Sequence, residues 1–135
     1  MSARILIIED NEANRELASF LLSSAGHTVL TANDGGAGVR VALAERLDLV
    51  LCDLHLPVMD GFEVLGSLKH ESTWHRVPVV ALTASSMVGD REMTLAAGFE
   101  GYMSKPITPE TFVQEVEAFL PVALRASARA LSPDQ

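Results

Sequence analysis

Short apolar runs alternate with helix-patterned segments along almost the whole chain, and that alternation leaves few folds open. Strand-like runs fall at about 4–8, 28–32, 48–53, 78–83 and 100–104. Between them, apolar residues return at helical spacing. Residues 12–25 carry Leu17, Phe20, Leu21 and Leu22 and stop at Gly26. Residues 35–46 lead Val39, Leu43 and Leu47 through four-residue steps, residues 62–70 carry Phe62, Leu65 and Leu68, and residues 87–97 run from Met87 to Ala97 before Gly98. A last helix is predicted from Thr108-Pro109-Glu110, with Thr108 as N-cap, Pro109 in the first turn and an apolar face of Phe112, Val116, Phe119 and Leu120. Five β and five α segments in strict alternation predict an α/β fold with a doubly wound, five-stranded parallel sheet. The runs are nearly continuously apolar, as strands covered on both faces should be. The run at 28–32 is weaker and reads as an edge strand. Residues 1–121 form one domain on this reading, and 122–135 a C-terminal tail, flexible or part helical.

The polar residues that close these runs carry the chemistry. Ile5-Leu6-Ile7-Ile8 ends in Glu9-Asp10, Leu47 to Cys52 delivers Asp53, Val79-Val80-Ala81-Leu82 ends at Thr83, and Gly101-Tyr102-Met103-Ser104 ends at Lys105-Pro106. A parallel sheet gathers such ends at one edge, where open α/β sheets bind ligands. Three carboxylates together carry −3, and two like charges about 4 Å apart repel by ~4 kcal/mol at an effective dielectric near 20. Such a cluster needs cations or it protonates. Mg²⁺ suits oxygen donors that leave room for water and a phosphate oxygen, and Lys105 supplies a further positive charge. Asp53, at the end of the central strand, is the candidate nucleophile toward a phosphoryl donor, with Thr83 able to donate to an equatorial oxygen.

Taken together these elements closely resemble the receiver (response-regulator) domain family over residues 4 to 120. The residues that carry the resemblance are Glu9-Asp10, Asp53, Leu56-Pro57-Val58-Met59-Asp60-Gly61, Thr83-Ala84 and Lys105-Pro106. The resemblance implies a flavodoxin-like (βα)5 fold with strand order 2-1-3-4-5. It implies Asp53 as phosphoacceptor, Glu9 and Asp10 as metal-binding acids, and Asp10, Asp53 and the backbone carbonyl of His55 as Mg²⁺ ligands. Thr83 and Lys105 would sense the phosphate, and Tyr102 matches the switch aromatic. The expected protein is a stand-alone, phosphorylation-controlled switch of the chemotaxis or cell-cycle type. It would be charged by a histidine kinase or histidine phosphotransfer protein and read by a protein target at the face of the fourth helix, fifth strand and fifth helix. It is not expected to be an enzyme beyond its own phosphorylation and slow dephosphorylation.

Composition narrows the alternatives. A net charge of −8 argues against binding nucleic acid or an anionic membrane through the chain's own field. No apolar stretch is long enough to span a membrane, the N-terminus leaves no room for a signal peptide, and the single cysteine, Cys52, fits a reducing compartment, so a cytoplasmic location is expected. Cys52 reads as a buried, inert thiol. Asp34-Gly35-Gly36-Ala37-Gly38 matches no phosphate-loop pattern and reads as a helix start. Asn11 reads as a helix cap, Asn14 as a surface residue, Trp74 and His75 as local packing, and the four histidines as too scattered for a metal site. His55 and Ser85 sit where they could tune water access to an acyl phosphate. The rival readings are a receiver module cut from a larger hybrid kinase or DNA-binding regulator, an aspartyl-phosphate phosphatase, and a scaffold indifferent to phosphate. The second places a histidine, His55, where such enzymes commonly put an acid.

Overall fold

In the computed structural model, which describes residues 2–71, 77–84 and 90–125, every one of the five apolar runs is a strand. They are β1 (Arg4–Ile8), β2 (Thr28–Ala32), β3 (Leu49–Asp53), β4 (Val79–Thr83) and β5 (Gly101–Ser104). All neighbours pair in parallel, in the order β2-β1-β3-β4-β5. The helices are α1 (Glu12–Ser24), α2 (Gly35–Ala44), α3 (Gly61–Lys69), α4 (Asp90–Ala96) and α5 (Phe112–Glu117). Fold class and strand order are as expected, with β2 and β5 at the edges. The predicted start of the fourth helix at Met87, together with Trp74, His75, Ser85 and the last ten residues of the tail, lies outside the described residues.

Strand alternation divides the core. Ile5 and Ile7 of β1, Leu49 and Leu51 of β3, and Val80 and Leu82 of β4 pack with Ala18 and Leu22 of α1, Phe112 and Val116 of α5, and Leu120 just beyond it. Leu6 and Ile8, Val50 and Cys52, and Val79 and Ala81 face the other way, toward Ala42 of α2 and Val64, Leu65 and Leu68 of α3. Because both faces are covered, every residue of β3 and β4 is buried.

Three helix readings need correction. On α1 the buried residues are Ala18 and Leu22, while Leu17 and Leu21 are half-buried and Phe20 is 67% exposed. On α2 only Val39 of the expected Val39-Leu43-Leu47 stripe packs on the core, and it is half-buried; Leu43 is half exposed, and Leu47 is buried only after the helix has ended. The buried face is Gly35, Gly38 and Ala42. The reason is closeness, since a Cβ on Gly38 would lie 2.5 Å from Ile8 Cδ1 and 2.8 Å from Cγ1. A helix this near the sheet presents small residues and turns its large ones outward. The last helix starts at Phe112 rather than in the first turn after Thr108. Thr108 instead closes a tight turn, its carbonyl accepting from the N–H groups of Thr111 (3.1 Å) and Phe112 (2.9 Å).

At the N-terminal edge of the sheet, His27 is buried between two elements. Its Nδ1 accepts the Ala3 N–H (3.1 Å), so its own N–H lies at Nε2, 2.6 Å from Glu117 Oε2 on α5. Beyond α5, Leu124 packs against the α1–α5 core and Arg125 Nε donates to the Leu120 carbonyl at 3.0 Å.

Candidate functional site

Each cleft residue stands where a strand gives way to a loop. Glu9, just past β1, keeps its N–H on the sheet ladder, donating to the Ala32 carbonyl (3.0 Å). Its Oε2 accepts from Asn11 N–H (3.1 Å), and Asn11 in turn caps α1 by accepting from Asn14 N–H (2.9 Å), the capping role expected of it. The Glu9 carbonyl accepts from Arg15 Nη1 on α1 (3.0 Å). Asp53 closes β3 with both oxygens held: Oδ1 by the His55 N–H and Oδ2 by Lys105 Nζ, each at 2.9 Å. Lys105 follows β5 through a cis peptide bond to Pro106, and its backbone N–H donates to the Thr83 carbonyl (2.8 Å). The ammonium bridges the acids, lying 2.6 Å from Glu9 Oε1 as well. That second contact is an ion pair without hydrogen-bond alignment, and Glu9 Oε1 has no other partner among the described residues.

Beneath Asp53, α3 begins directly against the strand-end backbone. A Cβ at Gly61 would stand 2.7 Å from the Asp53 carbonyl and 2.9 Å from Leu54 Cα, so only glycine permits this approach. Asp60 caps α3 in a reciprocal box with Glu63. The loop between β3 and α3 makes a three-residue turn, Met59 N–H donating to the Pro57 carbonyl at 2.7 Å, with Val58 at φ 67°. A cleft of about 470 Å³ opens over this loop, lined by Asp10, Leu54, His55, Leu56, Pro57, Asp60 and Phe62. Phe62, expected on the core face of α3, instead stands 37% exposed and edge-on to Phe99, with ring centroids 5.7 Å apart.

Burial and charge pull the acids apart. Burial, assisted by the nearby Asp53 carboxylate, pushes Glu9 above the ordinary glutamate range against the pull of Lys105 and the Asn11 N–H. For Asp53, burial acts upward too, but the hydrogen bonds from Lys105, His55 N–H and Glu9 outweigh it and hold the carboxyl below its usual range. Burial alone would lower Lys105; its two carboxylate partners raise it instead. Burial also pushes up the Cys52 thiol, in keeping with an inert residue. The arrangement is an aspartate whose carboxyl an ammonium helps hold below its usual range, beside a second acid whose carboxyl burial pushes up.

Glu9, Asp10 and Asp53 each offer an oxygen within 4.8 Å of the other two. An oxygen-only donor set, excess negative charge and one buried carboxylate oxygen without an aligned donor fit a hard divalent cation. Thr83, fully buried, ends β4 and pairs in register with Ser104. Tyr102 is half-buried on β5, opposite Ala81, and strand alternation turns it away from Met103 and the α5 side. Arg15 escaped the sequence reading. In sequence it is one more polar residue on an amphipathic helix, and its contact with Glu9 exists only because the helix turns back over the loop.

A family model for the response regulator receiver domain matches residues 5–117. The chain is 35% identical over 120 residues to the polar-differentiation response regulator DivK of Brucella anthropi, covering 89% of this chain and 98% of that one. Among solved structures, it superposes on the chemotaxis response regulator CheY4 of Vibrio cholerae with a TM-score of 0.84 at 30% identity, over 89% of this chain and 100% of that one. It also superposes on the receiver domain of the sensor histidine kinase PA1611 of Pseudomonas aeruginosa, crystallised with a magnesium ion in the active-site cleft, with a TM-score of 0.79 at 34% identity over 88% of this chain and 98% of that one. With its strand order, its four polar strand ends and these relatives in agreement, the chain belongs to the response regulator receiver domain family.

Proposed function

We propose that this protein is a phosphorylation-controlled switch that accepts a phosphoryl group on Asp53. The observation that carries the reading is the setting of Asp53, 4% exposed and held at both oxygens beside two further acids. An Asp53 oxygen attacks the phosphorus of a phosphohistidine on a histidine kinase or phosphotransfer protein; the P–N bond breaks and the imidazole leaves with its electron pair. Lys105 is free to follow the charge from the carboxylate to the phosphoryl oxygens, and Thr83 is the hydroxyl at the neighbouring strand end. Glu9, Asp10, Asp53 and the His55 carbonyl would hold Mg²⁺, which when bound stabilises negative charge on the phosphoryl oxygens. The relative with magnesium in its cleft supports this choice of ion.

Phosphorylation places a dianion where a monoanion stood. Thr83 is drawn toward it, Tyr102 turns inward, and the face of α4, β5 and α5 presents a changed surface to a protein target. Among the described residues no helix is long and apolar enough to cross a membrane. That fits a cytoplasmic switch, and the charge of −8 fits output through protein rather than nucleic acid. Turnover is confined to the protein's own phosphorylation and slow hydrolysis. Incubation with acetyl phosphate and Mg²⁺, followed by intact-mass analysis, should add one phosphoryl group to the wild type and none to Asp53→Asn. A labelled Asp53→Asn protein would move the acceptor elsewhere.

A further inference from the structure

We propose that Arg15 is a positioning residue for the metal-binding acids, acting through the Glu9–Asp10 peptide; this rests on the reading of the cleft as a divalent-cation site. Asp53 has the His55 N–H and Lys105, and Glu9 has the Asn11 N–H and Lys105. Asp10 is exposed, and its carboxylate makes no hydrogen bond or ion pair with a described residue. Its orientation therefore depends on its backbone. The carbonyl of Glu9 belongs to the planar peptide from which Asp10 departs. Arg15 Nη1 donates to that carbonyl at 3.0 Å in a part-buried contact. Arg15 is itself anchored in the first turn of α1, where its N–H donates to the Asn11 carbonyl (2.9 Å). A planar guanidinium on a capped helix is a rigid donor, so the loop carrying two of the three acids is tied to α1 at both Asn11 and Arg15.

Charge alone predicts the opposite behaviour. A cation beside an acidic cleft weakens the attraction for Mg²⁺, so removing it should tighten binding. The sign of the change separates the two roles. The experiment titrates the full chain with MgCl₂ by calorimetry for the wild type, Arg15→Ala and Arg15→Lys. Alongside it, hydrogen exchange at the Asn11 amide, which bonds Glu9 Oε2, is followed in the metal-free protein. Alanine is the best helix former and Arg15 lies outside the apolar core, so the fold should persist. Positioning predicts Mg²⁺ binding about tenfold weaker in Arg15→Ala, the low end for groups that orient metal ligands. It also predicts substantial rescue by Arg15→Lys, and faster exchange at Asn11 with the later amides of α1 unchanged. Wild-type binding with equal or tighter binding by Arg15→Ala overturns the role of Arg15 alone. Absence of Mg²⁺ binding by the wild type overturns the metal reading and this proposal with it.

Discussion

Both ends of the sheet bury charge, and the two ends handle it differently. At the N-terminal edge one imidazole meets one carboxylate, His27 and Glu117, and the remaining ring nitrogen is taken up by the Ala3 N–H. At the C-terminal edge one ammonium serves two buried acids, with a third acid beside them, and a carboxylate oxygen is left without an aligned donor. Backbone conformation follows the same division. The loops at the N-terminal edge give their positive φ to glycine, at Gly26 (98°) and Gly98 (116°), whereas the loop beside Asp53 gives it to Val58. A satisfied pair with relaxed turns holds the fold together. An unbalanced cluster beside a strained turn costs stability on its own, which is how a binding end should look.

The largest expected effect tests the satisfied end. Glu117→Ala removes one member of a pair whose side chains are 0% and 6% exposed, and stranding the buried imidazole Nε2–H costs up to about 3 kcal/mol. Urea unfolding should show this loss with the gain on adding Mg²⁺ intact; a loss under half that size would mean the pair is not a structural anchor.

The unbalanced end should respond in the opposite direction. Glu9, with its folded-state pKa raised above the ordinary 4.5, contributes stability that is fully present below the unfolded value and lost as pH rises through the folded value. In metal-free buffer, Glu9→Gln should therefore gain on the wild type as pH rises above 4.5. With Mg²⁺ at ~100 times its Kd, where the wild type gains about 2.7 kcal/mol, the variant should gain less. Matching pH profiles for the two proteins would show that Glu9 is not the strained member of the cluster.

The smallest effect concerns the turn. Val58 is wholly exposed, so glycine there loses no burial. Relief of a β-branched residue at positive φ, less the extra chain entropy of glycine, should leave a net gain of about 0.5 kcal/mol. A lower melting temperature for Val58→Gly would show that the valine is held by contacts that offset its conformation.

The sheet was legible because it depends on local composition. Five apolar runs covered on both faces need no partner to be recognised, and their polar last residues follow from chain direction alone. Thus Glu9, Asp53, Thr83 and Lys105 could be placed at one edge before any coordinates. What escaped depends on distance. Counting large residues on α2 pointed to Val39 and Leu43, while the helix faces the sheet with Gly38 and Ala42, a choice set by how close Ile8 lies. His27 and Glu117, ninety positions apart, carry no mutual signal in the sequence, and the histidine read as one of four scattered rings. Arg15 was invisible for the same reason, its contact being with a carbonyl rather than with a recognisable side chain.

The contact between Gly38 and Ile8 reaches beyond this molecule's stability. Both positions are buried, one on the central helix-facing side of β1 and one on α2. A methyl gained at position 38 would need space that three side-chain carbons of Ile8 now fill. The two sites therefore do not drift independently: a lineage that acquires alanine at 38 must repack or shrink the side chain at 8. Descendants of this chain are thus expected to inherit the pair as a unit, an evolutionary constraint imposed thirty residues apart by a single layer of packing.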